Sequence, residues 1–285
     1  MERKGPGVLY LCATPIGNLE DITLRALRIL KEADCIAAED TRHTRKLLSH
    51  FDIHTPLVSY HTHSGVSKEE HLINRLQQGE TIALVSDAGM PGISDPGADL
   101  VRQVLQHGMQ VVPIPGPSAG IAALVASGLP SHKFAFEGFL SNQRKTRRKQ
   151  LQALQLEQRT MVFYESPHRL ADTLKDMLAE FGDRPCTVAR ELTKLHEEFK
   201  RGTLGELVQH YSDHHPKGEI TIILGGLPPE AAAAQQQEQW ADLSLAEHVA
   251  ALVEQGSDRK EAIKQVAQLR GIPKREVYAA VHGEA

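Results

Sequence analysis

The sequence predicts an α/β protein, with strands and helices alternating along most of its 285 residues and a short helical tail. Three observations carry that reading. Short apolar runs such as Ile82–Val85 are bounded by turn residues and followed by helical spacing, as at Ala98–Leu105. Two of the connecting loops are long and rich in glycine and proline. Beyond residue 227 strand patterns stop and helical spacing alone remains. Regular strand–helix alternation argues for a mostly parallel sheet with helices on both faces.

In order, Val8–Ala13 reads as a strand and Leu24–Ala33 as a helix. Cys35–Ala38 is a second strand, ending in Glu39 and Asp40 ahead of a helix over Thr41–Phe51. Leu57–Tyr60 is short, Glu69–Gln78 is helical, and Gln110–Pro113 is a strand after the helix at 98–107. In the second half Phe134–Leu140, Thr160–Tyr164, Cys186–Glu191 and Glu219–Gly226 read as strands, with Glu197–Gly202 an edge strand. The adjacent apolar residues at 220–224 suit a central strand. Helices span about 169–180 and Thr203–His210, and another ends near Gln155. Before it runs the basic stretch Arg144, Lys145, Arg147, Arg148 and Lys149, either a solvated loop or a grip on phosphates.

The first long loop, residues 86–97, holds Gly89, Gly92 and Gly97, Pro91 and Pro96, and Asp87 and Asp95. It exceeds the roughly two to six residues of an ordinary strand-to-helix connection. A loop there sits at the carboxyl edge of a sheet, where α/β folds bind ligands. Glycines let backbone amides approach a ligand, and prolines stiffen the path. The second loop, Pro113–Gly120, packs three prolines into five residues, after which Ser118 is placed to cap a helix over Ala119–Ala126. It can serve as a ligand loop, a rigid elbow, or both.

Composition narrows the class. An apolar fraction of 41% and a charged fraction of 24% are those of an ordinary soluble globular chain. No apolar run approaches the roughly 18 residues of a membrane span, and the first residues lead into a strand, not an apolar signal segment. A cytoplasmic protein is expected. Cys12, Cys35 and Cys186 are odd in number and lack metal spacing, so they read as reduced core residues. With a net charge of −4, a nucleic-acid partner would be met by local patches. His61 and His63 could share one face of a strand, but no further ligand stands at metal spacing, so no metal is expected. Phosphate-loop, nucleophile-elbow and dinucleotide motifs are absent.

Residues 227–241 read as a linker. Leu243–Glu254, Arg259–Leu269 and Lys274–Val281 then form a helix-turn-helix-like pattern carrying Arg259, Lys260, Lys264, Arg270, Lys274 and Arg275. Asp258, Glu261 and Glu276 temper that charge, so a packing or dimerisation appendage is an equal alternative.

Five ordered motifs carry a family resemblance. They are Thr14-Pro-Ile-Gly-Asn-Leu-Glu-Asp-Ile-Thr, Ala38-Glu-Asp-Thr-Arg, the loop at 86–97, Pro115-Gly-Pro-Ser-Ala and Tyr164-Glu-Ser-Pro-His-Arg. Together they resemble the tetrapyrrole-methylase family, and within it the branch that methylates ribosomal RNA. Where makers of tetrapyrroles have a Gly-rich first loop, this chain has Thr-Pro-Ile-Gly-Asn, which favours the RNA branch over porphyrinoid substrates. The resemblance implies two α/β domains (1–117 and 118–226) with the donor site in the cleft between them, the linker 227–241 and a helical domain at 242–285. It further implies S-adenosylmethionine as donor, a homodimer, and the 2′-hydroxyl of cytidine 1402 in 16S rRNA of the small subunit as acceptor.

By the same resemblance Asp87, Ala88, Gly89, Met90, Ser94, Asp95 and Pro96 would hold the donor, with Pro115, Gly116, Ser118 and Ala119. Phe163, Tyr164, Glu165, Ala189, Arg190, Thr221 and Ile222 would close over it. Thr14, Asn18, His168 and Arg169 would face the RNA, as would Glu39, Asp40 and Arg42. A ribose hydroxyl is a weak nucleophile, so a base should assist it. Glu39 or Asp40 is expected to accept or orient its proton while Arg42 grips a phosphate; the alternative is that both acids merely cap the helix after them.

Overall fold

The computed structural model describes residues 5–61, 66–95, 97–228, 230–232, 243–254 and 256–283. Pro96, His63 and much of the expected linker lie outside the described residues. The chain forms two compact units, Met1–Gln155 with Arg159–Gly225, and Leu156–Gln158 with Gly226–Ala285.

The first unit opens with β1 (Val8–Cys12), α1 (Leu24–Glu32), β2 (Cys35–Ala38), α2 (Thr41–His50), β3 (Leu57–Ser59), α3 (Val66–Gln77), β4 (Ile82–Val85), α4 (Ala98–Gln106) and β5 (Gln110–Ile114). Its strands lie in the order β3-β2-β4-β1-β5, every pairing parallel. All four residues of both β2 and β4 are buried, because helices cover both faces of the sheet. Side-chain alternation divides the core in two. Ile36, Ala38, Ala83 and Val85 face α1 and α2, which contribute Ala26, Ile29, Leu30 and Leu48. Cys35, Ala37, Ile82 and Leu84 face α3 and α4, which contribute Leu72, Ile73, Leu76, Leu100 and Val104. Pro113 sits in β5 at the sheet edge, where a strand can spare an N–H.

A second sheet follows α5 (Ala119–Ser127). It is built from β6 (Phe134–Phe139), α6 (Arg144–Ala153), β7 (Thr160–Glu165), α7 (Leu170–Phe181), β8 (Pro185–Arg190), β9 (Glu198–Thr203), α8 (Leu204–Asp213) and β10 (Ile220–Leu224). The order is β6-β7-β10-β8-β9, with β10 central and β9 at the edge. Here the expectation of a mostly parallel sheet is corrected, since only β6 and β7 run parallel and the other pairings are antiparallel. The reason lies in the connections: β8 returns to β9 through a loop with no helix, and a strand so joined pairs antiparallel. Leu151, Leu174, Met177, Leu204 and Leu207 cover one face of this sheet; Ala123 and Leu124 of α5 cover the other.

The three cysteines are free and buried, and burial pushes the Cys12 thiol up to about 12. In the second unit α9 (Leu245–Glu254), α10 (Arg259–Arg270) and α11 (Lys274–His282) pack around Val249, Leu252, Ile263, Val266 and Val277. Asp258 caps α10 and Gly271 ends it in the left-handed conformation. Arg270 turns inward, donating to Nδ1 of His248 at 3.1 Å and to the Leu243 carbonyl at 2.6 Å. Among the described residues no helix is long and apolar enough to cross a membrane.

Candidate active site

Strands β1 and β4 are neighbours, so the loops leaving their carboxyl ends meet. Thr14 and Gly89 exchange backbone hydrogen bonds at 2.9 and 3.0 Å, and the Thr14 hydroxyl donates to the Ser86 carbonyl at 3.2 Å. Gly89, Gly92 and Gly97 have φ of +80°, +85° and +141°, so the glycines of this loop are demanded by its path. At Gly97 a Cβ would also lie 2.9 Å from Leu84 Cδ2.

The same edge collects carboxylates. The Asp40 N–H donates to Oδ1 of Asp87 at 3.1 Å, tying the end of β2 to the end of β4. The Asp40 carboxylate turns the other way. It caps α2 by accepting from the Arg42 N–H at 2.8 Å and holds the guanidinium with two further bonds of 3.1 and 2.8 Å. Those hydrogen bonds keep it well below the usual carboxylate range. Asp40 and Arg42 therefore engage each other, and Asp40 caps α2. Glu39 is pushed up by burial, then by Asp95 and Asp87. Asp95 is pushed up by burial as well, with Asp87 adding to it against the Ser86 hydroxyl.

Two cavities open at this edge. One, of about 370 Å³, is lined on the first sheet's side by Ile16, Asp87, Ala88, Gly89, Met90, Ile93, Ser94 and Asp95. Ser118, Ala119, Phe139, Tyr164, Glu165, Ser166, Pro167, Leu192 and Gly218–Thr221 complete it. The other, of about 590 Å³, is lined by Thr14–Gly17, Leu19, His43, Thr44, Lys46, Leu47, Ser86–Ala88, Lys194 and Glu219. Ile16, Asp87, Ala88 and Glu219 border both. Neither Glu39 nor Asp40 lines either one, whereas Asp87, bonded to the Asp40 N–H, lines both.

Several expected site residues belong elsewhere. Phe163 and Ile222 point into the core over α7 and α8, and Ala189 into the core under α5, since alternate strand residues face opposite ways. Arg190 is paired with Glu198 at 3.0 Å. Pro115 and Gly116 are exposed and line neither cavity. Ser118 holds the N-cap position of α5 without making a capping bond, and it lines the cavity wall. Glu165 lines the smaller cavity but is buried and braced by the Thr173 hydroxyl at 2.6 Å and the Ser166 N–H at 2.7 Å. Tyr164 accepts at its hydroxyl from the Gly120 N–H at 3.1 Å, and burial raises its pKa.

On the expected RNA side, Asn18 caps a short 3-10 turn (Leu19–Asp21), and its own N–H donates to Thr193 Oγ1 at 3.0 Å. His168 is exposed and lines neither cavity. Arg169 is corrected: it donates inward to the carbonyls of Leu140 and Ser141, at 2.9 and 3.2 Å, and stitches α7 to the loop after β6. The basic run is helical, within α6, and three of its members face the acids of α7. Arg147 is buried against Asp176 at 2.7 Å, Arg144 reaches the same carboxylate at 3.1 Å, and Arg148 meets Glu180 at 2.6 Å. Arg147 is thus structural; Lys145 and Lys149 point to solvent.

Sequence reasoning missed the strap at 191–194. Glu191 and Thr193 have φ of 51° and 65°, in the left-handed region that a β-branched residue seldom enters. Such strain gathers where a site over-determines the backbone. Here it places Leu192 on the smaller cavity and Lys194 on the larger. The Lys194 ammonium meets Glu191 at 2.8 Å and Glu219 at 3.1 Å, and its stem packs where a Cβ on Gly17 would stand. Burial alone would lower its pKa, but those hydrogen bonds outweigh it and raise it. No pattern in the sequence announces this turn.

Residues 8–208 match the family described as Tetrapyrrole (Corrin/Porphyrin) Methylases. The chain belongs to that family. It is a methyltransferase. Curated proteins named "Ribosomal RNA small subunit methyltransferase I" are 53% identical in Halalkalibacterium halodurans and 49% identical in Bacillus subtilis. Those alignments cover 99% and 97% of this chain, and 97% and 94% of the relatives. The crystal structure of uroporphyrin-III C-methyltransferase from Thermus thermophilus has a TM-score of 0.56 at 21% identity, over 81% of this chain and 98% of that one, and shows the shared fold.

Proposed function

We propose that this chain transfers a methyl group from S-adenosylmethionine to the ribose 2′-hydroxyl of a cytidine, nucleotide 1402, in 16S rRNA. The observation that carries the reading is the meeting of two cavities at Asp87 and Ala88. One chamber can take a donor and the other an acceptor; of the two carboxylates at their junction, Glu219 is paired with Lys194, which leaves Asp87 to face the acceptor. The relatives' names, which specify ribosomal RNA of the small subunit, support the acceptor class.

The smaller cavity suits the donor. Its volume lies in the range of small-molecule sites. Ile16, Ile93 and Leu192 offer apolar surface to an adenosyl group, while Asp87 and Asp95 complement a sulfonium charge. Bound there, S-adenosylmethionine supplies a methyl group already activated on positive sulfur. Asp87 accepts or orients the proton of the acceptor hydroxyl, its Oδ1 held in place by the Asp40 N–H. Ala88 and Ile16 exclude water from the junction. A homodimer and a cytoplasmic setting go with this reading.

The test is transfer of radiolabel from S-adenosylmethionine to two acceptors in parallel: small ribosomal subunits from cells lacking this protein, and uroporphyrinogen. Label in 16S rRNA that makes one phosphodiester resistant to alkali is expected. Label in the tetrapyrrole alone would overturn the RNA reading.

A further inference from the structure

The larger cavity has a cationic wall that neither the sequence motifs nor the family resemblance singled out. His43 and Lys46 stand three residues apart on α2, hence on one helix face, and both line this cavity. Both are exposed. Arg42, their neighbour, is tied to Asp40, whereas among the described residues no ion pair engages His43 or Lys46. Across the cavity the Lys194 charge is answered by Glu191 and Glu219. Among the described residues, the positive charge of this chamber that no acid answers is therefore that of Lys46 on α2, with the His43 imidazole beside it as a hydrogen-bonding group. The carboxylates that border it, Asp87 and Glu219, lie at the junction with the smaller cavity. A chamber with acids at one end and a free lysine beside an imidazole on one wall is divided as a nucleotide is, into a hydroxyl and a phosphate.

We propose that His43 and Lys46 form the subsite for the backbone phosphate next to the methylated ribose, so that the acceptor is recognised as a strand and not as a nucleoside. This rests on the reading of the acceptor as RNA. A phosphate held there fixes the ribose at one edge while Asp87 meets the hydroxyl at the other. Phosphate contacts of this kind set position and leave base choice to other groups.

The test is the salt dependence of binding, by fluorescence anisotropy, of a single-stranded oligoribonucleotide bearing the acceptor sequence. Wild type, Lys46→Met and the double variant His43→Asn/Lys46→Met are compared, with methyl transfer to small subunits followed in parallel. Loss of one phosphate contact on a single strand should make the slope of log K against log salt shallower by about 0.7. Affinity should fall several-fold at low salt and KM for RNA should rise with it. Donor binding and melting temperature should match wild type, which shows that the variants fold. An unchanged slope in both variants overturns the subsite, and it does so while the RNA reading stands if wild type labels rRNA. A shallower slope in the variants of a protein whose wild type labels no RNA would leave an RNA-binding wall but overturn both the reading of the acceptor and the subsite as one beside a methylated ribose. If a polycarboxylated tetrapyrrole, and not RNA, loses affinity in the variants, the wall is a carboxylate site and the proposal is overturned.

Discussion

The Asp40 backbone N–H donates to Asp87 Oδ1 at 3.1 Å, and this bond links the second residues after two adjacent parallel strands. It separates two acids that look alike in the sequence. The Asp40 carboxylate is committed to the start of α2, whereas Asp87 borders both cavities.

Asp87→Asn should therefore lower kcat by roughly a hundredfold or more, the scale of a lost general base. Asp40→Asn should stay near wild type, because asparagine still caps a helix and the bond to Asp87 comes from the backbone. Asp40→Ala should cost about 1 kcal/mol of stability for the lost cap. Single-turnover rates and melting curves for the three variants check this. Equal kcat in Asp87→Asn and wild type would remove Asp87 from the chemistry.

Asp95 yields a prediction of stability against pH. Burial first, then Asp87, raises its pKa above the ordinary 3.8. The folded state thus binds this proton more tightly than the unfolded chain does. Stability must fall as pH rises from the ordinary value through the raised one, and the deficit persists at neutral pH. Asp95→Asn should be more stable than wild type at pH 7, with no gain at pH 3. A gain of roughly 1 kcal/mol would read as about 2–4 °C in calorimetry. Donor affinity should drop in the same variant, since Asp95 lines the smaller cavity. An Asp95→Asn variant that melts below wild type at pH 7 but together with it at pH 3 would reverse the assigned direction.

How much of this was legible in the sequence depends on how local the cause is. The strand at 82–85 and the glycines after it follow from local patterning, since apolar runs mark buried strands and positive φ calls for glycine. The direction of β9 and β10 is not local; it is decided by which connections carry helices. Arg147 gave no hint of burial, because its partner Asp176 is 29 residues away on another helix. Leu192 reaches the smaller cavity only through the strained turn at Glu191 and Thr193, and neither residue type signals such a backbone. Lys46 carries no signal in the sequence; it is α2 that places it on a cavity wall.

Arg147 and Asp176 supply the remaining test, which divides structural from surface charge on α6. Their side chains are 5% and 2% exposed and meet at 2.7 Å, so removing one partner leaves the other charged and buried. Asp176→Asn should then cost about 3–5 kcal/mol, far more than a surface pair is worth. Replacing both with apolar residues, Arg147→Met with Asp176→Leu, should recover most of that loss, because no charge is left stranded. Lys145→Ala and Lys149→Ala should leave the melting temperature within error, as both side chains stand in solvent. If Lys145→Ala and Lys149→Ala melted with wild type while RNA binding collapsed, the basic run would be an RNA surface after all. The geometry argues the opposite: the acids of α7 already answer the arginines that an incoming phosphate would need.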